Sequence, residues 1–168
     1  MELAGAAPVV TVAVIAVVAV LSGPLGPVDL TTSPECGTEA FPGEGTASVT
    51  VDSLPEDATI TRSSFGADVW RLELPPATVN VSDVSGRPTV SYRIGIPELG
   101  RTVGTTAVLS RCTTGEQRLA LDRSTFDPDR IDEDQYDATL YVVYRGTEDG
   151  TDVEETLAAR NVTVEVVR

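Results

Sequence analysis

The chain contains no histidine and no lysine, and all twelve of its basic residues are arginine. Without imidazole there can be no Ser-His-Asp or Cys-His catalytic unit and no histidine ligand for zinc. Nor does any side chain change charge near neutral pH in an ordinary environment. Without lysine, the other common activator of a serine nucleophile is missing too. Aromatic residues number eight in 168, which leaves little to line a sugar platform. Positive charge is scarce, with 26 Asp and Glu against 12 Arg and a formal net charge of −14. A nucleic-acid partner does not fit this balance, because counterion release needs clustered cations and the protein's field repels phosphate. The one hydrolytic mechanism open without a cofactor is a carboxylate acid–base pair. With 26 carboxylates some pair always falls at a workable separation, so that signal is nearly empty and the composition points to a non-enzyme.

The length suits one ordinary domain and a short extra segment. From Leu3 to Val28 no residue is charged, and Pro8 to Leu21 holds a single polar side chain, Thr11. About 20 apolar residues span a bilayer as a helix, so residues 1–28 are expected to form one hydrophobic, membrane-directed helix. Pro8 suits its first turn, and the cluster Gly23, Pro24, Gly26 and Pro27 ends it. Two outcomes stay open. The segment remains as an anchor, or it is removed as a signal near Gly23, with Val20 and Ser22 as the small residues before the cut and Glu2 where a basic n-region belongs. Leu21-Ser22-Gly23 opens like a lipobox, but Pro24 occupies the position of the lipid-bearing cysteine.

Residues 29–45 are rich in Thr, Ser, Pro and Gly without hydrophobic periodicity and read as a linker. From residue 46 to 168 the apolar residues recur with a period of two. Ala47, Val49 and Val51 follow it, as do Trp70, Leu72 and Leu74, then Val90, Tyr92, Ile94 and Ile96. Tyr136, Ala138, Leu140, Val142 and Tyr144 continue it, and Val162, Val164 and Val166 close it. Such alternation marks strands with one buried face. Turn residues separate the runs at Leu54-Pro55-Glu56-Asp57, Ser85-Gly86-Arg87-Pro88, Pro97-Glu98-Leu99-Gly100 and Glu148-Asp149-Gly150-Thr151. Seven to nine short strands predict an all-β, antiparallel β-sandwich. Asp152 to Arg160 reads either as a helical turn or as a strand lead-in. Trp70 is expected to plug the core. Tyr141 and Val143 lie on the face opposite Tyr136 and Leu140, which suits a strand covered on both sides or a partner patch. If the last strand, ending at Val166 and Val167, is an edge, it could accept another chain, with Arg145 or Arg160 as a guard.

Several residues point outside the cytoplasm. Asn80-Val81-Ser82 and Asn161-Val162-Thr163 are glycosylation sequons, and Cys36 and Cys112 form an even pair suited to one disulfide, although two free buried thiols read equally from sequence. The densest acidic run carries Asp127, Asp129, Asp132, Glu133, Asp134 and Asp137. Hard oxygen donors on a loop suit Ca²⁺, with Asp127, Asp129, Asp132 and Asp134 as candidate ligands. Pro128 and Arg130 break the EF-hand spacing, and the alternative is a solvated acidic loop.

Asp132-Glu133-Asp134-Gln135-Tyr136-Asp137-Ala138-Thr139-Leu140-Tyr141-Val142 resembles the approach to strand F of immunoglobulin-like and fibronectin-type domains, where a tyrosine-corner residue opens the strand. The resemblance implies an immunoglobulin-like sandwich. Ala138 stands where antibody domains have their strand-F cysteine, and Trp70 lies far upstream for a strand-C tryptophan. In composition the chain resembles extracytoplasmic proteins of halophilic archaea, in which surface carboxylates hold water and ions in molar salt. Ala7-Pro8-Val9-Val10 resembles the opening of archaeal type IV pilin helices, without the basic processing residue. Three functions are expected: a non-enzymatic, membrane-anchored or secreted module of the cell envelope, either structural or binding an envelope protein partner; a pilin-like filament subunit; or a Ca²⁺-dependent or ligand-binding exodomain.

Overall fold

The computed structural model describes residue 36, residues 40–63 and residues 68–168. The expected helix over residues 1–28 and most of the 29–45 linker lie outside the described residues. Those described form ten strands and one 3-10 turn: β1 (Gly45–Ser53), β2 (Asp57–Arg62), β3 (Trp70–Glu73), β4 (Ala77–Gly86), β5 (Thr89–Ile96), β6 (Arg101–Val108), β7 (Gly115–Leu119), β8 (Ser124–Phe126), the turn Pro128–Arg130, β9 (Gln135–Glu148) and β10 (Thr151–Val167). The chain is thus all-β, with no α-helix among the described residues. No described helix is long and apolar enough to cross a membrane.

The strands divide into a three-stranded sheet, β1-β4-β7, and a seven-stranded sheet, β6-β5-β9-β10-β2-β3-β8. Inward-facing residues from both sheets, among them Val79, Val81 and Leu119 from the first and Ile60, Tyr92, Ile94, Leu140, Val142 and Val164 from the second, join one hydrophobic core. The alternation in sequence is the cause. In β5, Val90, Tyr92 and Ile94 are fully shielded from water, and in β9 Tyr136, Ala138, Leu140, Val142 and Tyr144 are buried while their neighbours are exposed or half-buried. Each fully buried Val, Leu or Ile contributes about 1.5–3 kcal/mol of transfer free energy. Trp70 fills the core as its alternation with Leu72 indicates, and it sits across from Phe126 of β8. The Tyr92 hydroxyl donates to the Pro75 carbonyl at 3.2 Å, and burial raises its pKa above the ordinary tyrosine range. Among the described residues, every buried side-chain nitrogen or oxygen has a hydrogen-bond partner.

Turn chemistry acts where expected. Asp149 and Gly150 close the β9–β10 hairpin with φ of 50° and 77°, the left-handed pair that a two-residue hairpin loop requires. The Gly100 N–H donates to the Pro97 carbonyl at 2.8 Å, closing the β5–β6 turn.

Two expectations are corrected and two open readings are resolved. The strand count is ten, because the charged run after Asp122 contains β8 and the Pro128–Arg130 turn as well as loop. The pairing is not antiparallel throughout, since β2 runs parallel to β10 from Asp57↔Thr163 to Thr61↔Val167. Asp152–Arg160 is strand over its whole length, carried by continuous pairing with β9 apart from one register shift between Thr156 and Ala158. The end of the C-terminal strand is no edge, because β2 pairs with Thr163–Val167, whereas Thr151–Val162 pair with β9 alone among the described strands. As for Tyr141 and Val143, β9 is central within its sheet, yet Tyr141 is 37% exposed and Val143 is half-buried.

The two sheets are tied at one end by Tyr144. Its hydroxyl accepts the Ala47 N–H of β1 at 3.0 Å, and the space it occupies exists because residue 146 has no side chain. The chain just before β1 is fastened to the β4–β5 connection, with the Gly43 N–H donating to the Arg87 carbonyl at 2.8 Å and the Arg87 N–H to the Glu44 carbonyl at 2.6 Å.

Candidate functional site

The acidic segment preceding β9 is organised around one tyrosine. The Tyr136 ring is buried, and its hydroxyl accepts the N–H groups of Asp132 at 3.0 Å and Glu133 at 3.1 Å while donating to Asp132 Oδ1 at 3.1 Å. This hydroxyl, folding back onto the residue four positions upstream, has the geometry of a tyrosine corner. Removing it with Tyr136→Phe deprives the corner of three hydrogen bonds at a half-buried site, and stability is expected to fall by about 1–2 kcal/mol. Urea unfolding measures this. A midpoint unchanged from the parent would mean that water replaces the hydroxyl without cost.

Of the four candidate Ca²⁺ ligands, Asp132 and Asp134 have side-chain partners. Asp132 accepts the Tyr136 hydroxyl, and Asp134 forms an ion pair with Arg168 while its carbonyl accepts the Val166 N–H at 2.9 Å. Asp127 precedes the 3-10 turn and its carbonyl accepts the Arg130 N–H at 3.1 Å; Asp129 lies in the first turn. Arg130 reaches away to the Leu99 carbonyl. Among the described residues, no group of three or more Cys, Asp or Glu is arranged to hold a metal ion.

The cysteines Cys36 and Cys112 are joined in a disulfide with Cα atoms 5.4 Å apart. Cys112 is presented by a turn that forms locally after β6. The Ser110 N–H donates to Thr113 Oγ1 at 2.7 Å, that hydroxyl donates to the Ser110 carbonyl at 2.9 Å, and the Thr113 N–H donates to the same carbonyl, also at 2.9 Å. Buried Leu109, whose N–H donates to the Pro88 carbonyl, anchors the turn to the core.

Both sequon asparagines are exposed and lie within strands. Asn80 is on β4, between Thr50 of β1 and Glu116 of β7. Asn161 is on β10, where its Oδ1 accepts the Thr139 hydroxyl at 3.1 Å.

Tertiary structure also gathers residues that no spacing in the sequence relates. Parallel pairing of β2 with β10 puts Asp57 beside Thr163, whose other neighbour is Asp137 of β9. With Glu56, Glu165 and Asn161 they line a shallow polar groove of about 570 Å³. Glu56 is paired there with Arg160 at 3.3 Å. A second groove of about 520 Å³ exposes the flanks of Leu72, Leu74 and Leu121 between Asp57, Glu73 and Asp122. At the far end of the sheet Arg145 is ion-paired with Glu154, and the Arg145 hydrogen bond followed by its charge lowers the Glu154 pKa below the ordinary carboxylate range. The two grooves thus offer hydrogen-bonding groups and apolar flanks. No family model, curated protein or solved structure matches this chain.

Proposed function

We propose that this protein is a non-enzymatic, membrane-anchored, extracytoplasmic module of the cell envelope, built as an immunoglobulin-like sandwich and acting through a protein partner. The observation that carries the reading is the Cys36–Cys112 disulfide, which fastens the chain soon after its 26-residue uncharged run to the body of the domain. Disulfides persist in oxidising compartments outside the cytosol.

Strand order supports the immunoglobulin-like assignment. The sheet β1-β4-β7 follows the order A-B-E, and β6-β5-β9-β10 follows C′-C-F-G, with the Tyr136 corner opening the strand that corresponds to F. The two cysteines do not join the B and F positions, so the bond serves the approach to the domain and not the inter-sheet core. The absence of His and Lys supports a binding role over hydrolysis. The acidity suits a surface kept soluble in high salt.

Deleting residues 1–28 tests the reading. The full-length chain is expected to sediment with membranes and to be degraded by protease added to whole cells, and the deleted form to be soluble. A deleted form that stays with the membrane defeats the anchor. A native product found in the medium and starting near Gly23 makes the protein a secreted domain instead.

A further inference from the structure

Of the two sequon asparagines, Asn80 is exposed between Thr50 and Glu116, whereas Asn161 opens onto the polar groove of about 570 Å³. Strand register brings the side chains of that groove together. Residues two apart along a strand share a face, so Asn161, Thr163 and Glu165 project together from β10. Thr139 and Asp137 of β9 pair with Asn161 and Thr163, and Asp57 of β2 pairs with Thr163 from the other side. The Asn161 Oδ1 accepts the Thr139 hydroxyl at 3.1 Å, while Nδ2 has no partner among the described residues. N-glycosylation takes place on that nitrogen and leaves the oxygen free to keep its bond. The sequon hydroxyl of Thr163 stands on the same exposed face.

The lining of the groove suits a carbohydrate. Asp57, Asp137 and Glu165 are exposed, and none of these three carboxylates accepts a hydrogen bond or an ion pair from a described residue. Ionised carboxylates accept hydroxyl donors in charge-assisted hydrogen bonds, and the Thr163 hydroxyl can both donate and accept. The volume falls within the range of about 300–1,000 Å³ that small-molecule sites occupy. In a chain of net charge −14 a carboxylate cluster alone is a solvated surface; here the sequon set in the groove's own wall names the occupant. A tethered sugar is held at high effective concentration, so weak hydrogen bonds suffice to seat it.

We infer that Asn161 carries an N-linked oligosaccharide whose first sugars lie in this groove, their hydroxyls donating to Asp57, Asp137 and Glu165. The inference rests on the extracytoplasmic location proposed above. The sugar donor is an oligosaccharide esterified through its C1 oxygen to the phosphate or pyrophosphate of a polyprenyl lipid. A bond forms between Asn161 Nδ2 and C1, the C1–O bond breaks, the lipid phosphate leaves with the electron pair, and one Nδ2 proton passes to a base of the transferase. Attachment before β10 pairs with its neighbours leaves the fold unchanged, because the Asn161 side chain is exposed.

The test uses the full-length protein isolated from the cells that naturally make it, with protease shaving of whole cells in parallel. Trypsin releases the peptide Asn161–Arg168, which is expected to carry the mass of an oligosaccharide, with fragment ions that retain sugar on Asn161. Thr163→Val destroys the sequon and should remove that mass, whereas Thr163→Ser keeps the hydroxyl and should retain it. Seating in the groove is read from thermal midpoints. Asp137→Ala should lower the midpoint of the glycosylated protein by about 3 °C more than it lowers that of Thr163→Val, because only the former has a sugar to lose contact with. An unmodified Asn161 peptide from protein that protease reaches on whole cells, or that is found in the medium, overturns the inference alone. Sugar on Asn80 with none on Asn161 does the same. An unmodified peptide from protein that protease cannot reach in intact cells overturns both the inference and the extracytoplasmic reading. A modified Asn161 with equal effects of Asp137→Ala in the two backgrounds overturns the seating in the groove.

Discussion

Reducing the Cys36–Cys112 bond is expected to lower the stability of the domain by about 4 kcal/mol. The two cysteines are separated by 76 residues, and in the chain-entropy model a loop of that size removes about 4–5 kcal/mol of freedom from the unfolded chain. For a domain of this size each kcal/mol moves the thermal midpoint by about 3–4 °C, so a fall of about 15 °C is expected. The Ser110–Thr113 turn holds its shape through its own hydrogen bonds and the buried Leu109, so the effect falls on the unfolded state and leaves β6 and β7 in place. Differential scanning calorimetry with and without reductant measures it. The double variant Cys36→Ser/Cys112→Ser should melt with the reduced parent. A shift below about 3 °C would show that the loop is already restricted in the unfolded chain and that the bond serves only to hold the N-terminal approach.

Gly146→Ala is expected to cost about 3 kcal/mol, although it adds a single methyl group. That methyl would overlap the Tyr144 hydroxyl oxygen and lie 2.5 Å from the Gly45 carbonyl oxygen. The first contact displaces the hydroxyl from the Ala47 N–H, and the second presses on the backbone where β1 approaches β9, so the tie between the sheets is lost and the packing is strained. Gly45 is held in place by its pairing with Gly86 of β4 at a φ of +106°, which favours glycine. Tyr144→Phe alone removes the hydrogen bond without the clash and is expected to cost about 1 kcal/mol. In the double variant the smaller ring partly accommodates the methyl, so the combined loss should be less than the sum of the two. Strict additivity in guanidinium unfolding would mean that the backbone contact, and not the hydroxyl, sets the cost.

The individual strands are legible in the sequence because burial here is two-sided alternation. Tyr92, Ile94, Leu140 and Val142 sit at every second position and are shielded from water in the structure. Asp149-Gly150 announces its hairpin because few other residue pairs tolerate two left-handed conformations. Tyr136 is recognisable for a related reason: its hydrogen bonds reach residues only three and four positions away, so the corner is a local object. Strand β8 is not legible, because three residues, Ser124-Thr125-Phe126, are too few to display a period and their charged surroundings read as loop. The acidic run suggests a metal site from its density, and the sequence does not show that Asp132 accepts the Tyr136 hydroxyl or that Asp134 pairs with Arg168.

The linear order of residues by itself determines the longer alternating strands, their buried faces, the tight hairpin and the corner, since each depends on neighbours a few positions away. Folding alone decides which strands become neighbours. That choice covered the end of β10 by bringing β2 alongside it from about a hundred residues away, gathered Asp57, Asp137 and Glu165 into one groove, and left β6 at the end of its sheet. Alternation states which face of a strand is apolar and is silent about which backbone lies beside it, because every strand offers the same hydrogen-bonding groups along its edges.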